Sequence, residues 1–338
     1  MWLYLVTLLS LYFLLRWYRE RQTVPNLQGK YVLITGCDSG FGSLLARYLD
    51  RRGMHVLAAC PTPKGAEQLN EATSHRLQTV FLDVTKTDSV AVMAEWVKGQ
   101  VGKKGLWGLV NNAGIGFPMA PNEWLTKEDF QKVISVNLLG MIDVTVNLLP
   151  LVRQAKGRIT NMSSGLGRIA IFGGGYCISK YGVEAFSDSL RRELRPFGVK
   201  VSIVEPGAFK TGVATKPMVE ENFTSLWARM PNDVKESYGE QYFNTYSKNF
   251  FDLVTTASSN LHLVIDSLQH SVIAVNPRTR YSPGWDCKFV YLPLSYFPTI
   301  IMDYVLAWSS PVPGQCAASP PEHHGKRLLP ETHVTSAC

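Results

Sequence analysis

The chain has 338 residues, 46% of them apolar and 18% charged, which is enough apolar material for a large core and rules out wholesale disorder. Lys and Arg exceed Asp and Glu by 34 − 27 = +7, and no block of sequence gathers the excess, so nucleic acid is not an expected partner. The six cysteines, Cys37, Cys60, Cys177, Cys287, Cys316 and Cys338, form no CxxC pair. Free thiols in a reducing compartment are expected, with no metal site and no disulfide framework.

Residues 1–15, MWLYLVTLLSLYFLL, carry no charged side chain and are closed by Arg16, Arg19 and Arg21. A helix of that length rises about 22 Å, short of a hydrocarbon core of ~30 Å. Trp2, Tyr4, Trp17 and Tyr18 at its ends suit the headgroup levels and lengthen the span. No basic stretch precedes the run and no A-x-A-like site follows it, which argues against a cleaved signal peptide. Residues 1–21 therefore read as an N-terminal membrane anchor, against the alternative of a buried core helix. The arginines after the run place residues 22–338 on the cytosolic side.

From Tyr31 the pattern alternates. Short β-rich runs are expected at 31–35, 54–59, 78–82, 106–110, 158–162 and 199–204, with helices at 41–52, 87–102, 127–152 and 176–196 between them. Strands separated by helices give an α/β fold, a doubly wound parallel sheet covered on both faces. One domain is expected over 22–287, with 212–270 as an insertion capping the C-terminal edge of the sheet. Residues 288–308 are apolar but interrupted by Pro293, Pro298 and Asp303. They read as a membrane-associated or pocket-covering segment rather than a clean span. Residues 309–338 read as a disordered tail.

The first strand runs into Thr35-Gly36-Cys37-Asp38-Ser39-Gly40-Phe41-Gly42. Here Gly36 permits a tight turn, Gly40 lets the backbone approach a pyrophosphate, and Gly42 lets helix and strand pack closely. The helix that follows points its free N–H groups and positive dipole end at the anion. Asp83, after the third strand, is placed to accept from an adenine amine. Asn111-Asn112-Ala113-Gly114 follows the fourth strand, and Ser163 and Ser164 follow the fifth, all at the edge where such sheets bind ligands.

Tyr176 and Lys180 stand at i, i+4 and share one helix face. A neighbouring ammonium lowers a phenol from its ordinary pKa of ~10, so Tyr176 is a candidate base for an alcohol proton as hydride leaves. Ser164 is placed to hold the same oxygen and so to bind substrate. A lone Tyr–Lys pair occurs by chance on many helices; the combination with the glycine turn and the serines carries the reading. For the cofactor, Asp38 would repel a 2′-phosphate, and no basic residue stands in Ala58-Ala59-Cys60-Pro61 at the end of the second strand. No acidic residue stands there either, and Lys64 is the nearest cation. NAD is expected over NADP.

These segments together resemble the short-chain dehydrogenase/reductases, over about residues 29–310. TGCDSGFG is similar to the cofactor glycine motif, NNAG to the sheet-stabilising motif, YCISK to the catalytic YxxxK motif, and EPG at 205–207 to the Pro-Gly element after the sixth strand. The resemblance implies a single Rossmann-type domain and a catalytic set of Asn137, Ser164, Tyr176 and Lys180, with Asn137 holding a water of the proton relay. Ser163, one residue out of register, is the weaker serine. Implied cofactor contacts are Gly36, Asp38, Ser39, Gly40, Phe41, Gly42, Asp83, Asn112, Tyr176, Lys180, Pro206, Gly207 and Thr211, the last touching the nicotinamide carboxamide.

A narrower resemblance lies in MWLYL, RWYRERQ, GGGYCISKYGVEAFSDSLRREL and PRTRYSPGWDCK, which look like the microsomal retinol and hydroxysteroid dehydrogenase branch. It implies oxidation of retinol to retinal with NAD, or of a 3α- or 17β-hydroxysteroid, at the endoplasmic reticulum membrane. A lipophilic small molecule and the membrane are the implied partners, with a homodimer left open. Ala208 departs from the branch, where an aromatic residue is usual, and the chain beyond about Pro313 has no counterpart. The competing classes are a non-catalytic scaffold on this fold and a membrane-tethered interaction module over 212–270. The intact Asn-Ser-Tyr-Lys set argues against the scaffold.

Overall fold

The computed structural model describes residues 2–212 and 215–308. The expected tail at 309–338, with Cys316 and Cys338, lies outside the described residues. Helix α1 spans Trp2–Arg21. The sheet contains β1 (Tyr31–Thr35), β2 (His55–Cys60), β3 (Leu77–Phe81), β4 (Gly108–Asn111), β5 (Arg158–Met162), β6 (Lys200–Val204) and β7 (Arg280–Tyr281). Its order is β3-β2-β1-β4-β5-β6-β7, and every pairing is parallel. The chain reverses direction between β1 and β4, and a crevice opens there at the strands' C-terminal ends.

Helices α2 (Gly40–Arg51), α3 (Pro63–Glu71), α4 (Thr87–Val101), α5 (Lys127–Ile134), α6 (Met141–Gln154) and α7 (Gly175–Leu194) form the crossovers. A π-helical segment, Ser135–Gly140, joins α5 to α6 and carries Asn137 at its centre. The run expected at 127–152 is therefore one long helix with a widened turn inside it. It is also the one run among the described residues long and apolar enough to cross a membrane by composition, yet it covers the sheet. Its Val144, Leu148 and Val152 are wholly buried in the core between the sheet, α4 and α7, and Val133 is buried against Gly175 of α7. On the other face Leu45, Ala46 and Leu49 of α2 meet Val32, Ile34 and Val56 of the strands.

One expectation, the extent of the cap, is corrected, and β7 adds to the expected strands. Strand β7 lacks the length and apolar pattern that mark a strand, and only its partner β6 defines it. The cap is narrower than 212–270: it consists of α8 (Lys216–Arg229), α9 (Asn232–Tyr238) and α10 (Glu240–Thr256), with its own core around Trp124, Phe223 and Phe250. Helix α11 (His262–Ile273) instead buries Val264, Ile265 and Leu268 beneath the sheet and belongs to the main domain. The 288–308 stretch breaks into a π-helical turn Cys287–Tyr291, the short α12 (Leu292–Leu294) and α13 (Thr299–Trp308). Its prolines account for the breaks.

Helix α1 is exposed on every side, Leu8 at 64% and Leu14 at 62%. Its end is fastened to the domain. Glu20 accepts from Arg278 at 2.5 Å and its carbonyl contacts His270 at 2.7 Å, while Thr23 bridges to Ala274. The Val24 amide donates to Ile273, and the Val275 amide to Gln22, both at 2.8 Å. Arg158, at the start of β5, is buried and donates to the carbonyls of Val272 and Ala274 at 2.7 Å each, under the Trp107 ring. The joint lies at the N-terminal ends of the strands, away from the crevice.

Candidate active site

The crevice holds a cavity of about 490 Å³ whose lining runs from Gly36 and Asp38 through Ser164 and Tyr176 to Phe250 and Tyr291. Its first half is built from backbone. Gly36 and Gly40 have φ of +70° and +59°, which side chains disfavour, and a Cβ on Gly42 would lie 2.2 Å from the Gly36 carbonyl. The glycine turn can thus sit hard against α2, whose first N–H groups receive no side-chain cap from Ser39. Asn112 lines the cavity, but its Nδ2 donates to the Thr35 and Gly36 carbonyls at 3.0 Å each, so it braces the turn. Thr35 Oγ1 accepts from the Asn112 and Ala113 amides at 3.0 Å.

Asp38 reaches over the end of β2. Its Oδ2 accepts from Thr62 at 2.5 Å, and its carboxylate fills the space that a Cβ on Gly65 would need. Its Oδ1 is buried without a partner. The acid missing from the end of β2 in sequence is thereby supplied from the glycine turn, while Lys64 stays exposed outside the cavity. Asp83 Oδ1 accepts from the Thr85 amide and hydroxyl, which hold its carboxyl below the usual range. Ser39, Phe41, Pro206, Gly207 and Thr211 complete this half. Phe209 meets Phe41 edge-on at 6.0 Å, so an aromatic ring lines the wall one residue after Ala208.

At the centre stand Ser164, Tyr176 and Lys180. Ser164 Oγ donates to the Pro206 carbonyl at 3.5 Å and accepts from the Leu166 amide at 3.2 Å. Burial pushes the Tyr176 phenol up to about 12, and a hydrogen bond with Ser164 opposes the rise. Lys180 Nζ sits 5.5 Å from the centre of the Tyr176 ring and donates to the Met162 carbonyl at 2.9 Å. Burial pulls its pKa down to about 8, with Glu184 resisting. Ser164 and Lys180 thus both stand beside the phenol, the hydroxyl through a hydrogen bond that favours ionisation and the ammonium close to the ring.

Asn137 sits at the centre of the widened turn. Its Oδ1 accepts from the Ile115 amide at 2.8 Å, and its Nδ2 donates to the Ile115 carbonyl at 2.9 Å and to Ser179 at 3.1 Å. The side chain is spent on bracing the strand-end loop, and the widened turn around it is the kind of kink found at functional sites. Ser163 Oγ points to the Lys180 carbonyl at 3.4 Å, satisfied and turned from Tyr176.

The second half of the cavity is built from side chains. Phe117, Phe172 and Phe250 pack with ring centres 5.8 and 5.2 Å apart, and Met119, Leu166 and Leu253 fill the wall around them. Sequence reasoning missed Phe250 and Tyr291, since neither lies in a motif. It also missed the buried cluster beside the site, where Arg280 contacts Glu184, Glu205 at 2.7 Å and Asp188 at 2.9 Å. The PRTRYSPGWDCK string was its one sequence signal.

A Gly-lined turn under a free helix end, a carboxylate with one unpartnered oxygen beyond it and a Ser–Tyr pair suit a dinucleotide with its reactive ring beside Tyr176. Such a cofactor supplies the hydride acceptor.

A family model described as short chain dehydrogenase matches residues 30–222. Human retinol dehydrogenase 16 is 60% identical over 315 residues, 93% of this chain and 99% of that protein. The chain belongs to the short-chain dehydrogenase family. Human 17-beta-hydroxysteroid dehydrogenase type 6 is 58% identical, again over 93% of this chain and 99% of that one. A solved short-chain dehydrogenase from Streptomyces avermitilis superposes with a TM-score of 0.64 at 25% identity, covering 82% of this chain and 94% of that chain. As a member of this family the chain is an oxidoreductase that uses a nicotinamide cofactor.

Proposed function

We propose that the chain oxidises retinol to retinal with NAD at a membrane surface. Tyr176 is the base, Ser164 and Tyr176 hold the substrate oxygen, Lys180 is the neighbouring cation, and Asn137 orders the loop beside them. With Tyr176 as phenolate, the alcohol proton passes to its oxygen as the carbonyl forms; a nicotinamide held by the glycine turn and Asp38 would supply the hydride acceptor. The observation that carries the reading is the apolar, aromatic wall of Phe117, Phe172 and Phe250 facing Tyr176, which suits a lipophilic alcohol and offers little to a sugar or an acid. Retinol is in the name of the 60% identical human relative. NAD is favoured by Asp38, whose unpartnered Oδ1 suits ribose hydroxyls and repels a phosphate.

Residues 1–21 are the proposed anchor in the endoplasmic reticulum membrane, residues 22–287 the catalytic domain on the cytosolic side, and 309–338 a tail. Phe289, Tyr296 and Ile300 in the 288–308 segment are more than two-thirds exposed and suit the interface. The test is NADH formation by full-length protein in membranes given NAD and all-trans retinol. Absence of turnover on retinol and on hydroxysteroids alike would reject the dehydrogenase reading. A 3α- or 17β-hydroxysteroid is the second reading, favoured by the near-equal identity of the human hydroxysteroid relative; the ratio of specificity constants decides between them.

Orientation is best read by protease protection in sealed microsomes. Two N-x-S/T sequences, Asn161-Met-Ser and Asn222-Phe-Thr, would take a glycan only on the lumenal side, but Asn222 is half-buried in α8 with its Nδ2 enclosed and so is a poor reporter. Asn161 is wholly buried and donates to Ser187 at 2.8 Å.

A further inference from the structure

The PRTRYSPGWDCK segment contributes nothing to the catalytic set, yet it grips the loops that carry it. β6 ends at Val204, so the Pro206-Gly207-Ala208 turn is held by contacts from elsewhere in the chain. The Ser258 amide donates to the Ala208 carbonyl at 3.0 Å, and two further contacts come from the segment. The Gly207 amide donates to the Pro283 carbonyl at 3.0 Å, and the Ala208 amide to Asp286 Oδ2 at 2.6 Å. The carboxylate is enclosed by glycines. A Cβ on Gly207 would lie 2.0 Å from Asp286 Oδ1, and one on Gly284 2.5 Å. Gly207 has no unusual backbone angle, so the space taken by Asp286 accounts for the missing side chain.

The turn in turn sets the serine. The Pro206 carbonyl accepts from the Gly165 amide at 2.8 Å and from Ser164 Oγ at 3.5 Å. From the other side, Gly165 lies against Cys287 of the segment and Tyr291 just beyond it. A displacement of the 206–208 turn therefore moves the acceptor that aims the Ser164 hydroxyl.

We propose that Asp286 is a positioning residue for the dehydrogenase reaction, fixing the 206–208 turn that forms the wall beside the reacting ring and orients Ser164. The inference rests on the dehydrogenase reading above, and wild-type turnover with NAD is the reference for its test. Three variants are compared by kcat, KM for cofactor and alcohol, the deuterium isotope effect on turnover with carbinol-deuterated alcohol, and thermal melting. Asp286→Ala lowers kcat about 10²-fold, the scale of a misplacement of ~1 Å, and raises the isotope effect as hydride transfer becomes limiting. Asp286→Asn keeps an acceptor oxygen and stays within about threefold of wild type, with its isotope effect unchanged. Gly207→Ala, which pushes on the carboxylate from the other side, reproduces the Asp286→Ala kinetics with the aspartate intact. It keeps the question answerable if Asp286→Ala melts early. Wild-type kinetics in Gly207→Ala, or a loss in Asp286→Asn as deep as in Asp286→Ala, would overturn the role while leaving the dehydrogenase reading in place.

Discussion

The two halves of the cavity are made in different ways. The cofactor half is backbone: Gly36, Gly40 and Gly42, the ends of parallel strands, and the first turn of α2. The substrate half is side chain, with Phe117, Phe172 and Phe250 contributed by three separate elements. Backbone recognition needs glycine at fixed places and tolerates no methyl group. Side-chain recognition needs only apolar volume, which many sequences supply. One half is thereby committed to a single class of cofactor, and the other is free to change its alcohol.

The comparison can be broken at the point where the halves meet. Tyr176→Phe keeps the ring and removes the ionisable oxygen, so turnover falls about 10³-fold or more while NAD affinity, read by fluorescence, changes little. Near wild-type turnover would place the base elsewhere. In the side-chain half, Phe250→Ala lowers kcat/KM for retinol about 10²-fold and leaves cofactor affinity unchanged. A matching loss of cofactor affinity would show that the halves are not independent. In the backbone half, Asp38→Asn raises NADP use relative to NAD roughly tenfold for every alcohol, since it removes repulsion without changing shape. A change that depends on the alcohol would contradict the division.

The smallest effect concerns stability. Burial lowers Lys180 to about 8, so the folded state holds fewer protons than the unfolded chain between about pH 8 and the ordinary lysine range. The cost of charging Lys180 is fully present below pH 8 and is relieved as pH rises through that window. Lys180→Met should therefore abolish turnover yet raise stability at pH 7 by on the order of 1 kcal/mol. The gain should shrink toward pH 10 in thermal melts. A gain that holds steady with pH would assign it to packing instead.

Much of the backbone half was legible in the sequence because its signals are local. Gly36 to Gly42 lie within one turn, and Tyr176 and Lys180 within one helical repeat. Asp38 was legible as a repulsive charge and an implied cofactor contact, but its hold on Thr62 and Gly65 was not, since it joins residues from two crossovers. The side chain of Asn137 carried no visible sign that Ile115 and Ser179 would consume it. β7, α11 and Asp286 were hidden for a common reason. Their partners lie far away in the chain: Ala208 is 78 residues from Asp286, and Arg158 is 114 residues from Val272. Composition and periodicity report on neighbours, whereas these elements are defined by what folds back onto them.

The joint between α1 and the domain has a mechanical consequence. Glu20, still inside the helix, already holds Arg278 and His270, and the bridge from Thr23 to Ala274 begins two residues after Arg21. No slack separates the rod from the body it carries. In the proposed anchoring, a tilt of the helix would be passed to the sheet, and the angle and height at which the crevice meets the lipid would be set by a rigid mooring rather than searched by a swinging tether. A substrate drawn from the membrane would meet the cavity mouth at one standing orientation.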